Sequence, residues 1–166
     1  MDEVINLGDG VTLTKSTKAD FDYINAHLRE GDAAEQRVFG EGFQDSIELT
    51  ERSWTIRDGA AVVGYLATVV MRGDTPLSPR RLLAEMTTNY VSSIKIKYVK
   101  FSRRVLKAVV EHSAPWITDF YTMPMASYVG AVKWDERILR MRKIGVVPIN
   151  GIDHIIFHIS RKEALV

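Results

Sequence analysis

Apolar and polar positions alternate along Val11-Thr-Leu-Thr-Lys15, the period of a strand with one buried face, and Gly8-Asp-Gly10 before it reads as a turn. The period then lengthens. Phe21, Ile24 and Leu28 recur three and four residues apart, which predicts an amphipathic helix over residues 18–30. Ser16 or Thr17 supplies its N-cap, with Asp20 as the capping-box partner of Thr17. A less regular helical stretch, broken by Gly31, Gly40 and Gly42, runs towards Leu49. Alternation returns at Trp54-Thr-Ile-Arg57, and Asp58-Gly59 is a strong hairpin signal. Ala60 to Met71 follows as a long, valine-rich strand suited to the centre of a sheet. Gly73, Pro76 and Pro79 make Arg72 to Arg81 a loop, and Ala84 to Ser92 reads as the next strand.

Residues 94–112 carry the clearest helical pattern. Ile94, Tyr98, Phe101, Val105 and Val109 form one apolar stripe, while Lys97, Lys100, Arg104 and Lys107 form a basic one. After Ser113-Ala-Pro115, two segments compete to be the following strand: Ile117 to Thr122 and Ala126 to Val132. Trp134 to Ile144 reads as a second basic helix with Gly145 as its C′ residue. Val146 to Ile149, a turn at Asn150-Gly151 and Ile152 to Ile159 close the chain as a hairpin. The predicted order is mixed α/β, in a single domain spanning residues 1–166.

Composition narrows the chemistry. The 166 residues contain no cysteine, which excludes disulfides and thiolate chemistry and suits a reducing compartment or the inside of a particle. A net charge of +1 means that any basic footprint must be local. The acidic MDEVINLGDG start lacks the apolar run of a signal peptide, and no apolar stretch approaches the ~20 residues of a membrane span. His154 and His158 fall on a predicted strand, where four residues separate them by roughly 13 Å, too far for a shared metal. Trp116 and Tyr121, in a proline-flanked segment, are the aromatics best suited to a protein contact.

The element order, together with Asp135-Glu-Arg-Ile-Leu-Arg-Met-Arg-Lys-Ile-Gly145-Val, resembles the GNAT superfamily of acyl-CoA N-acyltransferases. That segment looks like the helix which, in the family, ends in a leucine-glycine-phenylalanine type of turn before the last strands. The resemblance implies a single GNAT-like α/β domain, a mixed and mostly antiparallel sheet flanked by helices. It also favours Ala126 to Val132 as the strand before that helix. Within the superfamily the chain looks most like the small GNAT-like proteins of short-tailed phages, associated with virion assembly. That likeness implies residence in a virion or in the host cytoplasm, with a virion component or a second copy of the chain as partner.

Position by position, the family's chemistry is only partly present. GNATs bind the CoA pyrophosphate with backbone N–H groups at the start of the central helix, approached through glycines. The matching segment here is Val91-Ser-Ser-Ile-Lys-Ile-Lys-Tyr98, and no glycine lies between Gly73 and Gly130. Ser92, Ser93, Lys95 and Lys97 are its candidate phosphate contacts, with bulky Ile94 and Ile96 among them. Lys133 and Trp134 stand where the family often has asparagine. Met141 holds the place of a tyrosine that protonates the leaving thiolate, and a thioether has no proton to give. Glu85 is the candidate general base. Two functions follow: a non-catalytic role in virion structure or assembly with a degenerate acetyl-CoA site, or an active acetyl-CoA-dependent N-acetyltransferase with an atypical phosphate loop, modifying a host protein or a small amine. Nucleic-acid contact through Lys97, Lys100, Arg104 and Lys107 is a third.

Overall fold

A computed structural model describes residues 3–39 and 50–166. The chain begins with a hairpin, β1 (Val4–Gly8) and β2 (Val11–Lys15), joined at Asp9-Gly10, both with positive φ. Only its second strand is marked by buried residues: Val11 and Leu13 are fully enclosed, whereas β1 lies at the sheet edge with alternate side chains exposed. Helix α1 (Lys18–Ala26) opens with the expected capping box, Thr17 and Asp20 exchanging hydrogen bonds with each other's backbone N–H at 3.1 Å. Helix α2 (Glu30–Phe39) follows; the continuation predicted towards Leu49 lies outside the described residues.

Strands β3 (Thr50–Asp58), β4 (Ala61–Val69) and β5 (Arg80–Thr87) pair antiparallel in sequence order. The β5 strand starts and stops about four residues earlier than the apolar pattern indicated. Asn89–Ser93 then forms a 3-10 turn leading into α3 (Lys95–Glu111). The stripe predicted on α3 is its buried face, with Tyr98, Phe101, Val105 and Val109 packed on one side of the sheet against Val11, Leu13, Trp54 and Leu66. Helix α1 covers the opposite side, where Ile24 meets Tyr65, Ala67, Val69 and Met86. Fully burying a side chain such as Phe101 or Ile24 contributes roughly 1.5–3 kcal/mol.

The last third corrects two expectations. Of the two competing segments, β6 (Asp119–Thr122) is the strand, with Phe120 fully buried between Arg81 of β5 and Ile159. Ala126 to Val132 is not: after an isolated bridge at Met125, the chain leaves the sheet and turns into α4 (Val129–Lys133). Pro124 and Gly130 both oppose a regular strand there. Helix α4 widens at once into a π turn over Trp134–Ile138, with the Leu139 N–H donating to the Trp134 carbonyl five residues back. The helical path ends at Arg140, whose φ of 58° is left-handed. Gly145 is therefore no helix terminus. It lies within β7 (Arg142–Ile149), because Lys143 to Ile149 pair with β8 (Ile152–Ser160) through the Asn150-Gly151 turn. A short α5 (Arg161–Ala164) closes the chain.

The eight strands form one sheet in the order β1-β2-β3-β4-β5-β6-β8-β7, antiparallel throughout except for β5 and β6. This is the mixed, mostly antiparallel α/β sheet flanked by helices that the sequence implied. Arg81, fully buried at the start of β5, ties the preceding loop to the sheet. Its guanidinium donates to both Glu51 carboxylate oxygens, at 2.7 and 3.0 Å, and to the carbonyls of Pro76, Ser78 and Arg80. Replacing it by methionine (R81M) orphans all four partners, so urea denaturation is expected to show a loss of about 3 kcal/mol.

Candidate functional site

Strands β5 and β6 pair over only three positions, Arg80–Leu82 with Asp119–Tyr121. Beyond Leu82, β5 continues for five residues with β4 as its only strand partner among the described residues. In an antiparallel strand alternate N–H and C=O groups point to either side, so the outer edge of Leu83–Met86 faces the opening. The sheet parts here. A cavity of about 410 Å³ fills the gap and crosses from one face of the sheet to the other. Tyr65, Ala67, Ala84 and Met86 line it from the α1 side, and Leu83, Glu85 and Tyr98 from the α3 side.

Four carboxylates meet in this cavity from three elements. Asp32 and Glu35 come from α2, Glu85 from β5 and Asp135 from the π turn. Each accepts from at least one neutral donor. The Thr87 hydroxyl donates to Asp32 at 2.7 Å, the Met125 N–H to Glu35 at 2.8 Å, the Thr122 hydroxyl to Asp135 at 2.7 Å and the Tyr98 hydroxyl to Glu85. Burial pushes the Glu35, Glu85 and Asp135 carboxyls up to about 7, and their mutual repulsion adds to the rise. Burial also raises Asp32, with Arg29 the cation that opposes it. The carboxylates thus crowd a space that only Arg29 and Lys95 supply with positive charge among its described lining residues.

Three aromatic residues complete the walls. Tyr98 is stacked on Trp134 with ring centroids 4.5 Å apart. Tyr128, just before α4, reaches within 3.5 Å of Asp32 and is pushed up in pKa, chiefly by burial. Its ring lies against the first turn of α2, where a Cβ on Gly31 would stand 2.1 Å from it. Gly31 does not break the helix, as the sequence suggested; it makes room for Tyr128.

The candidate phosphate contacts occupy the β5–α3 connection. Ser92, Ser93 and Lys95 are exposed there. Ile94 precedes α3 and provides no side-chain cap, so the first-turn N–H groups lack the partner that a capping side chain supplies. Ile96 points outward, 75% exposed, and does not fill the cavity. Lys97 is engaged elsewhere: its ammonium is 2.5 Å from Asp58 at the tip of the β3–β4 hairpin, and Tyr90 donates to the same carboxylate at 3.0 Å. Arg104 likewise pairs with Asp9 at 2.9 Å, and like Lys100 and Lys107 it is exposed. Met141 is buried beside Thr122, whose hydroxyl is 3.8 Å from its sulfur. His154 and His158 share no metal cluster, and none occurs among the described residues.

Solved structures of similar architecture are acetyltransferases. The spermidine N-acetyltransferase of Vibrio cholerae in complex with CoA and spermine matches with a TM-score of 0.65 and 13% identity, over 96% of this chain and 100% of that one. For the aminoglycoside acetyltransferase AAC(6')-Ib in complex with coenzyme A, the TM-score is 0.67 and the identity 16%, over 92% and 96%. A GNAT-family acetyltransferase from Bacillus anthracis gives 0.67 and 12%, over 97% and 100%. The fold is the GNAT fold. No family model matches the sequence, and no curated protein matches it. At these identities the likeness is one of architecture.

The raised carboxyls make stability depend on pH. In the unfolded chain these groups release protons near pH 4–4.5, whereas in the folded protein three of them hold protons to about 7. Stability therefore falls as pH rises through that window and levels off above it. Glu35→Gln keeps the acceptor for Met125 and removes the charge. Thermal denaturation is expected to show E35Q more stable than the parent at pH 8, by on the order of 1–3 kcal/mol, and nearly equal to it at pH 4.5.

Proposed function

We propose that this protein is an acyl-CoA-dependent N-acyltransferase whose acceptor is a small cationic amine. The observation that carries the reading is the cavity at the open edge of β5, with Glu85 in its wall and Asp32, Glu35 and Asp135 around it. A protein gains no stability from four carboxylates crowded in a buried space, whereas an ammonium ligand would be neutralised and oriented by them. The spermidine and aminoglycoside acetyltransferases of similar fold act on amines of this kind, which supports the same reading.

The residues present fit acetyl-CoA in kind. The outer edge of Leu83–Met86 in β5, which has no strand partner among the described residues, would offer backbone groups to an amide-containing arm. The uncapped first turn of α3, with Ser92 and Lys95, offers donors to phosphate, whereas the Ser93 hydroxyl already donates to the Tyr90 carbonyl at 2.7 Å. Acetyl-CoA would supply the acetyl group as a thioester, whose C–S bond breaks as the amine's N–C bond forms. Glu85, titrating near neutral pH, takes the proton that the ammonium must lose before its nitrogen can attack. Of the three phenols among the cavity's described lining residues, Tyr98 is committed to Glu85 and Tyr65 is held by Thr50 and Ser53, which leaves Tyr128, within 3.5 Å of Asp32, as the group to protonate the departing thiolate. Asp32, Glu35 and Asp135 hold the charged remainder of the acceptor.

A second reading, a non-catalytic role in virion structure or assembly, draws on the β5–α3 turn. It has no glycine and no left-handed residue, so its backbone is screened by ordinary side chains. The exposed Trp116, at 52%, would then belong to a partner surface. One measurement separates the two. Acetyl-CoA at millimolar concentration is expected to raise Tm by mass action, and no shift would remove the enzyme reading. With acetyl-CoA and a diamine, E85Q is expected to lose at least about 100-fold in kcat and Y128F about tenfold, both still showing the acetyl-CoA thermal shift.

A further inference from the structure

We propose that Tyr98 is the positioning residue for Glu85: its hydroxyl donates to the carboxylate from α3, and Trp134 clamps its ring from the π turn so that the bond keeps its direction. The proposal rests on the acyltransferase reading of the cavity and adds to it the element that makes Glu85 a usable base.

The geometry is over-determined. Tyr98 is 4% exposed. One face of its ring is stacked on Trp134 at 4.5 Å and 15°, and Phe101 meets it at 5.2 Å and 84°. The backbone beneath it is pinned as well, since the Ser102 hydroxyl donates to the Tyr98 carbonyl at 2.6 Å. A tyrosine has two side-chain torsions, and with its ring packed in this way the hydroxyl has one place to go. That place is Glu85, on the same side of the sheet as Leu83.

Direction follows from acidity. Burial raises the Tyr98 phenol well above its ordinary value, so it remains the donor and Glu85 the acceptor. The groups acting on Glu85 from the surrounding elements are Arg29, Asp32, Glu35, Tyr98, Tyr128 and Asp135. Three of them are carboxyls that disfavour a charged Glu85. Tyr98 is the hydrogen-bond donor that favours it, and a donor to the ionised form holds a carboxyl's pKa down. Without that bond Glu85 would carry its proton through neutral pH and could not accept another.

The test is Tyr98→Phe, which keeps the ring and its stacking and deletes only the donor. Glu85 is followed by carboxyl carbon NMR across pH, its signal assigned through E85Q. Its midpoint is expected to move upward by about one pH unit in Y98F. With acetyl-CoA and a series of aliphatic diamines, the acid limb of kcat/KM should move by the same amount. Activity should then fall about tenfold at pH 6.5 and recover above pH 8.5. Trp134→Leu, which frees the ring without removing the hydroxyl, is expected to give a smaller shift in the same direction. An unmoved Glu85 midpoint in Y98F overturns the proposal, as does an activity loss equal at every pH. If no diamine is acetylated while the midpoint still moves, the acyltransferase reading fails and the Tyr98–Glu85 coupling stands.

Discussion

The site depends on one shortfall in pairing: β5 and β6 share three residue pairs and then part. A longer parallel ladder would have sealed the sheet and covered the outer edge of β5. Since the ladder stops at Leu82 and Tyr121, side chains from other described elements line the gap. Tyr98 and Trp134 come from beyond the two strands and stack within the opening, and the remaining space is the cavity. The π turn belongs to the same solution, since Trp134 begins it and Asp135 lies within it. An extra residue in a helical turn re-aims side chains, and here those side chains line the opening.

The second constraint is electrostatic. Carboxyls brought out of water repel one another and resist ionisation, and each here has a neutral donor where a structural pair would have a cation. The contrast with Arg81 and Glu51 is instructive. There a buried guanidinium meets a carboxylate in bidentate geometry and every donor is used, which is how a protein satisfies charge for the sake of its own fold. Around the cavity, four carboxyls face only two cations among the described lining residues, Arg29 and Lys95.

Much of the scaffold was legible in the sequence because its signals are local. The stripe on α3, the Thr17–Asp20 capping box and the Asn150-Gly151 turn each follow from residues within a few positions of one another. The β6 strand was harder, since four residues do not establish a period and Ala126 to Val132 offers a longer apolar run. The end of α4 misled for a related reason: Gly145 is the residue expected after a helix, but Arg140 takes the left-handed conformation five residues earlier. With that boundary moved, the spacing of Met141 from Gly145 is no longer a distance from a helix end. Glu85 was found as a lone carboxylate near a strand. Asp32 and Glu35 fall three apart on one face of α2, and nothing local marks that face as buried. Only the opening of the sheet gathers them with Asp135, Tyr98 and Tyr128. Gly31 was the one visible clue, and its meaning lay in a ring almost a hundred residues away.

The junction of Asp58 with Lys97 and Tyr90 has a mechanical meaning. The tip of the β3–β4 hairpin is tied by a single carboxylate to two places, the 3-10 turn through Tyr90 and the first turn of α3 through Lys97. A glycine-rich turn would be compliant and would take its shape from whatever it bound. This turn is instead tied to a hairpin more than thirty residues upstream, so its position is referred to the sheet. A load applied to the hairpin tip would travel into α3 and, through Tyr98, into the wall of the cavity.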